Sequence, residues 1–260
     1  MGSGWSEEQP QAAQPPQQPA TVSAALRSNE HDSGNSSNNH FKEEKEKMVK
    51  GKLGEVKLGH GFEDILKDAD LPVDRSSLDK LHEQLYAGIF LNKRTKKYWL
   101  DKKLKSNCFM LFPRALSITW AEENKYWRWK SMEESSNTIE VIELLNVCWL
   151  EIHGKMKTCE LSPGILYEAA FEVMIKEPAY GWDIPVNIRL KKPDGSKQER
   201  KENLEQRPRG QWVEIPICDF VVHDHERGGE IEFSMYEYEG GMWKKGMLLK
   251  GVVIRSKGSI

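Results

Sequence analysis

Glu230-Ile231-Glu232-Phe233-Ser234-Met235-Tyr236-Glu237-Tyr238 is followed by Glu239-Gly240-Gly241 and then by Leu248-Leu249-Lys250-Gly251-Val252-Val253-Ile254-Arg255. Polar and apolar residues alternate in the first run, which sends them to opposite faces of an extended chain, and the paired glycines supply a turn before the next strand. The same rhythm of short run and turn extends back to about Lys97. It marks candidate strands at Cys108–Phe112, Leu116–Trp120, Ile139–Glu143, Val147–Gly154, Leu166–Ile175, Val186–Lys191 and Trp212–Cys218, with turns at Pro193-Asp194-Gly195 and Gly228-Gly229. No segment there keeps a helical period or a βαβ rhythm. Residues 97–260 are therefore expected to form an all-β domain, an antiparallel β-sandwich of jelly-roll type.

Upstream the period changes. Phe62, Ile65, Leu66 and Ala69 recur at helical spacing, Pro72 interrupts them, and Leu78, Leu81 and Leu85 resume the pattern. Ser76 or Ser77 caps the second helix and Gly88 ends it. Residues 62–96 thus read as two short amphipathic helices, too small for a core of their own, that pack on the next domain or serve as an interaction arm. Residues 1–61 are Gln/Pro-rich, then Ser/Asn-rich, then a mixed charge run. Such a segment has too little apolar surface to offset the entropy of ordering, and a disordered tail is expected.

With 38 Lys+Arg against 40 Asp+Glu the net charge is −2, so no global field gathers nucleic acid or anionic membrane. No run reaches the ~18 apolar residues of a spanning helix, and the N-terminus lacks the pattern of a secretion signal, so a soluble cytoplasmic chain is expected. Cys108, Cys148, Cys159 and Cys218 show no CxxC or Cys/His ligand spacing and are expected as reduced thiols packed like small apolar residues.

Eight of the nine tryptophans lie beyond residue 95. The densest stretch is Leu116-Ser117-Ile118-Thr119-Trp120-Ala121-Glu122-Glu123-Asn124-Lys125-Tyr126-Trp127-Arg128-Trp129, in which charged groups that resist burial separate the rings. Two readings stay open. The rings are sandwich core, or some face a groove where the C–H face of a pyranose stacks on indole and nearby carboxylates and amides take its hydroxyls. Trp149, set in Val147-Cys148-Trp149-Leu150, is expected in the core.

That stretch, together with ELLNVCWLEIHGKM, LSPGILYEAAFEVMI, AYGWDIPVNIRL and EIEFSMYEYEGGMWKKGMLLKGVVIR, resembles phloem protein 2 and the related Nictaba-type plant lectins over about residues 97–256. The helical segment is similar to the A-type subgroup. The resemblance implies a non-enzymatic sandwich that binds N-acetylglucosamine oligomers of chitin type and N-glycan cores without metal or cofactor. Its binding-associated tryptophans match Trp120 in SITW and Trp127 in KYW, and Glu237 with nearby Trp243 joins them. It further implies glycoprotein partners, a homodimer, and a cytoplasmic place in phloem companion cells and sieve elements, with the nucleus as a second compartment.

Three rival chemistries need weighing. Glu122, Glu123, Glu143, Glu151, Glu237 and Glu239 offer carboxylate pairs for a glycoside hydrolase, though any charged chain does so. His223-Asp224-His225 offers two metal ligands without an indicated third. The run Lys93-Arg94-Thr95-Lys96-Lys97-Tyr98-Trp99, continued by Lys102-Lys103-Leu104-Lys105, interleaves cations with rings as RNA-binding surfaces do. Its plainer reading is a solvated linker between helix and sandwich.

Overall fold

The computed structural model describes residues 58–258 except 136 and 227, so residues 1–57, most of the expected tail, lie outside the described residues. Among the described residues two helices come first, α1 (Phe62–Leu66) and α2 (Leu78–Ala87). Thirteen strands follow: β1 (Ile89–Leu91), β2 (Lys96–Leu100), β3 (Asn107–Leu111), β4 (Ser117–Ile118), β5 (Trp127–Glu134), β6 (Asn137–Leu144), β7 (Leu150–Lys157), β8 (Leu166–Tyr180), β9 (Val186–Lys191), β10 (Lys197–Glu202), β11 (Trp212–Val221), β12 (Glu230–Glu237) and β13 (Lys245–Ser256).

The strands form two antiparallel sheets, as the alternating runs require. One has five strands in the order β10-β9-β12-β7-β4. The other has eight, with the path β1-β2-β3-β13-β6-β5, while β8 pairs with β13 and β11 with β8. One edge of β13 runs along β8, and its other edge is divided: Leu248 and Leu249 pair with β6, and Val252 to Ile254 pair with β3. Gly251 sits at that division with φ 148°, and a Cβ there would stand 2.0 Å from the Leu111 carbonyl oxygen. Only glycine allows the approach.

Between the sheets lies one core, supplied by the inward positions of both: Phe109, Leu111, Trp127, Ile142 and Leu249 from the larger, Leu150, Ile152, Ile188, Phe233 and Met235 from the smaller. The helices join it. Ile65, Leu66, Leu81 and Leu85 belong to the same cluster, so the helical segment packs on the sandwich instead of standing out as an arm. Ser77 caps α2 by accepting from Lys80 N at 3.3 Å, and Gly88 ends it at φ 94°.

Several local expectations shift. Strands β1, β2, β5 and β10 were not marked by the sequence pattern, and β2 runs across the expected division at 96/97. The region expected as a linker is part of the larger sheet, because Tyr98 and Leu100 carry its inward side chains at 0% and 1% exposure. The expected strand Leu116–Trp120 shortens to β4, and Val147–Gly154 moves to Leu150–Lys157. Trp149 is not core. It is 42% exposed just before β7, since the inward register begins at Leu150.

Candidate functional site

Three loops meet at one end of the sandwich: 119–126 between β4 and β5, 145–149 between β6 and β7, and 238–244 between β12 and β13. Leu145 N donates to Tyr126 O at 2.8 Å, tying the first to the second, and Val147 and Lys244 exchange backbone bonds of 3.0 and 2.7 Å, tying the second to the third. Five aromatic or apolar side chains stand on these loops with open faces or flanks: Trp120, Trp149, Tyr238, Met242 and Trp243.

Trp120 takes φ 60°, a costly conformation for a bulky residue that persists only where its surroundings hold it. Here Ala121 N donates to Ile118 O at 3.1 Å and Glu123 N to Trp120 O at 3.0 Å, so the chain turns sharply and throws the indole outward. The ring leans on Tyr126 with centroids 5.0 Å apart and remains 43% exposed. With Arg114, Leu116, Ser117, Glu122 and Trp129 it lines an open cleft of about 450 Å³. The Arg114 guanidinium lies 3.4 Å over Trp129 and pairs with Glu122 at 3.1 Å and Glu140 at 3.2 Å. The cleft therefore offers a flat ring beside fixed hydrogen-bonding groups.

Trp127 goes the other way. It opens β5 facing the core, is 1% exposed, and donates from Nε1 to Thr119 O at 3.0 Å. The structure places it beneath the loop that carries Trp120, with its face covered. Glu237 is likewise internal at 4% exposure: it accepts from the Lys244 ammonium, itself fully buried, and from Gly240 N at 2.7 Å. Lys244 also donates to Met242 O at 3.2 Å. The pair pins the third loop from below, and Trp243 stands on that loop at 47% exposure. Of the four residues singled out in the sequence, Trp120 and Trp243 face solvent while Trp127 and Glu237 support the loops that carry them.

A second polar hub stands beside them on Glu151, which the sequence marks as one of several candidate carboxylates and not as an anchor of the loops. Glu151 Oε2 accepts from Thr119 Oγ1 at 2.9 Å and from Trp149 Nε1 at 3.0 Å. Its Oε1 meets His153 Nε2 at 3.1 Å, and His153 Nδ1 meets Ser234 Oγ at 2.9 Å. The hydrogen bonds from His153 and Trp149, opposed by partial burial and aided by Thr119, hold the Glu151 carboxyl below the usual glutamate range. Glu143 is also lowered: burial pushes it up, but Lys130 at 2.7 Å and Lys176 at 2.5 Å outweigh that. A general acid must hold its proton near neutral pH, and these carboxyls are driven the opposite way.

No group of three His, Cys, Asp or Glu side chains fit to hold a metal gathers among the described residues. The basic run 93–105 is divided: Arg94 lies 4.0 Å over Phe90 and donates to Thr138 O at 3.1 Å, Lys96 pairs with Glu160 at 3.2 Å, and Lys105 lies 4.5 Å over Tyr86. No helix among the described residues is long and apolar enough to cross a membrane.

Comparison with known proteins adds an independent line. The profile of the family described as phloem protein 2 matches residues 106–256. A protein named "Lectin" from Luffa acutangula is 52% identical over 205 residues, spanning 78% of this chain and 97% of that protein. "Protein PHLOEM PROTEIN 2-LIKE A1" from Arabidopsis thaliana is 50% identical over 210 residues, spanning 79% of this chain and 84% of its own length. A further "Lectin", from Coccinia grandis, is 32% identical over 149 residues, 57% of this chain and 94% of that protein.

Proposed function

The chain belongs to the phloem protein 2 family, and from that premise we propose that its sandwich is a non-catalytic lectin domain for N-acetylglucosamine oligomers of chitin type and N-glycan cores. The observation that carries the reading is Trp120, a 43% exposed indole held at a strained φ over a cleft lined by Arg114, Ser117 and Glu122. Strain of this kind persists where the surroundings pay for it, and here they present a ring to solvent.

The mechanism is reversible recognition. The C–H face of one pyranose stacks on Trp120, and the polar side chains of the cleft take hydroxyls and the N-acetyl group. Trp127 and the Glu237–Lys244 pair act from beneath by holding the first and third loops in place. Trp243 extends the aromatic rim. Affinity for a single sugar is weak, because hydroxyls lose water for modest apolar gain, so useful binding comes from longer oligomers or from a homodimer engaging a multivalent glycoprotein. The working place that fits this reading is the cytoplasm of phloem cells.

A glycan array with the full chain tests the reading. Chitin oligomers are expected among the bound glycans, and Trp120→Ala is expected to lose about tenfold in affinity with an unchanged melting curve. Incubated chitin oligomers are expected to remain intact. Binding to no glycan, or sustained cleavage, overturns it.

A further inference from the structure

We propose that the stacked rings of Trp149 and Tyr238 form a second saccharide platform, extending the Trp120 site onto the outer face of the five-stranded sheet. The proposal rests on the lectin reading and goes beyond it, since neither residue belongs to the site read from the sequence.

Trp149 projects from the second loop at 42% exposure, with one face on Tyr238 at a centroid distance of 4.5 Å and an interplanar angle of 17°. Tyr238 in turn stacks on Tyr236 at 5.4 Å, and the Arg189 guanidinium lies 4.6 Å over Tyr236. Three rings thus step from the loops onto the sheet.

Register explains why these groups share a face. Tyr236 pairs across β12 with Glu151 on β7 and with Asn187 on β9, and Ser234 pairs with His153 and Arg189. Their strand neighbours Leu150, Ile152, Ile188, Phe233 and Met235 fill the core at 0–1% exposure, so the named side chains turn to the other face. Trp149 is held in place by its Nε1 bond to Glu151, which also holds Thr119 beside Trp120. One carboxylate thereby fixes both platforms relative to each other.

The surroundings select the ligand class. The sheet face beside the rings is polar: His153 bonds Glu151 and Ser234, and Asn187 donates to Tyr236 O at 3.3 Å, and the acceptor and donor capacity these groups keep is met by hydroxyls and not by an apolar peptide. Arg189, the cation over Tyr236, is already paired with Glu199. A neutral, hydroxyl-rich chain with flat C–H faces suits an exposed indole beside such a face. The ligand is accordingly an oligosaccharide long enough to leave Trp120 and reach Trp149.

The test is calorimetric titration of the full chain, wild type and variants, with chitin oligomers of two to six residues. Wild type is expected to gain affinity with length. Trp149→Ala and Tyr238→Ala are each expected to leave the two-residue oligomer nearly unchanged and to lose about three- to tenfold for the longest. Trp120→Ala is expected to weaken every length. Glu151→Gln separates positioning from contact, because it keeps the ring and removes the charge that anchors it, and its loss should also grow with length. If wild type binds but gains nothing with length, or if Trp149→Ala and Tyr238→Ala bind the longest oligomer normally or weaken all lengths equally, the second platform is wrong while the lectin reading survives. If wild type binds no oligomer in this series and no glycan on the array, the lectin reading itself has failed. Should either alanine variant melt early, Trp149→Phe, which keeps a smaller ring and loses the Glu151 bond, gives the same length-dependent comparison.

Discussion

The outer faces of the two sheets solve one problem in opposite ways. On the eight-stranded sheet, Met110, Phe112, Ile139, Val141, Ala170, Leu248 and Val253 form a second apolar cluster on the side away from the core. Long charged side chains roof it. Lys250 reaches Glu172 at 3.0 Å and also pairs with Glu134, and Lys130 and Lys176 close on Glu143. On the five-stranded sheet the floor is polar and the rings of Trp149 and Tyr238 stand above it. Apolar side chains under charge are sealed by the stems of those lysines. The difference teaches that a long cation covers a ring wherever strand register sets the two side by side, as Arg189 covers Tyr236 at 6% exposure, whereas Trp149 stands on a loop beyond that cover and stays 42% exposed.

The largest effect that would break this comparison lies between the faces. Trp127→Ala is expected to cost about 3–5 kcal/mol of stability, because a fully buried indole and its bond to Thr119 O are lost. Trp149→Ala is expected to leave the melting temperature nearly unchanged. Paired urea denaturation of the two variants checks it. An early-melting Trp149 variant would mean that its ring belongs to the core after all.

A second contrast, smaller, removes one cation from each face. Lys250→Ala leaves Glu172, 17% exposed, without its partner, and about 1–3 kcal/mol should be lost. Arg189→Ala breaks a more open pair with Glu199, for which about 0–1 kcal/mol is expected. Equal losses from the two variants would show that the roof on the larger sheet carries no more energy than a solvated ion pair.

Much of the fold could be read from period two alone. Val186–Lys191 and Glu230–Glu237 stand within a residue of where the alternation put them, because each buries one clean apolar face. Lys197–Glu202 was illegible: KQERKE has no apolar residue, and it is a strand only because β9 offers a ladder along its whole length. Trp127–Glu134 is masked by its own composition, since charged residues interleave its rings, although its inward indole begins a regular strand paired from Trp127 to Glu134 with β6. The candidate site was legible where chain chemistry is local, as at Trp120. It was illegible where a role depends on what packs below: Glu237 looks like an exposed acid until Lys244 is found beneath it, and Trp149 looks like core because its neighbours Val147 and Leu150 are.

The smallest expected effect concerns acid. Glu151 has its carboxyl held below the ordinary range by His153 and Trp149, so the folded state favours its ionised form more than the unfolded chain does. Its contribution is therefore fully present above the unfolded value of ~4.3 and is lost as pH falls through the lower folded value. A protonated Glu151 offers a poorer acceptor to Thr119 and Trp149, which loosens the five-stranded face while leaving the roof of the larger sheet to the separate titration of Glu143. Glu143, Glu199 and Glu202 are depressed as well, so total acid sensitivity says nothing about any one of them. The informative quantity is the difference between wild type and Glu151→Gln, whose amide keeps an acceptor oxygen but cannot titrate. Stability measured by urea denaturation from pH 7 to pH 3 should fall more steeply for wild type below about pH 4, by about 1 kcal/mol or less. Parallel curves would remove Glu151 as the acid-sensitive anchor of Trp149 and leave the stack on Tyr238 as what orients that ring.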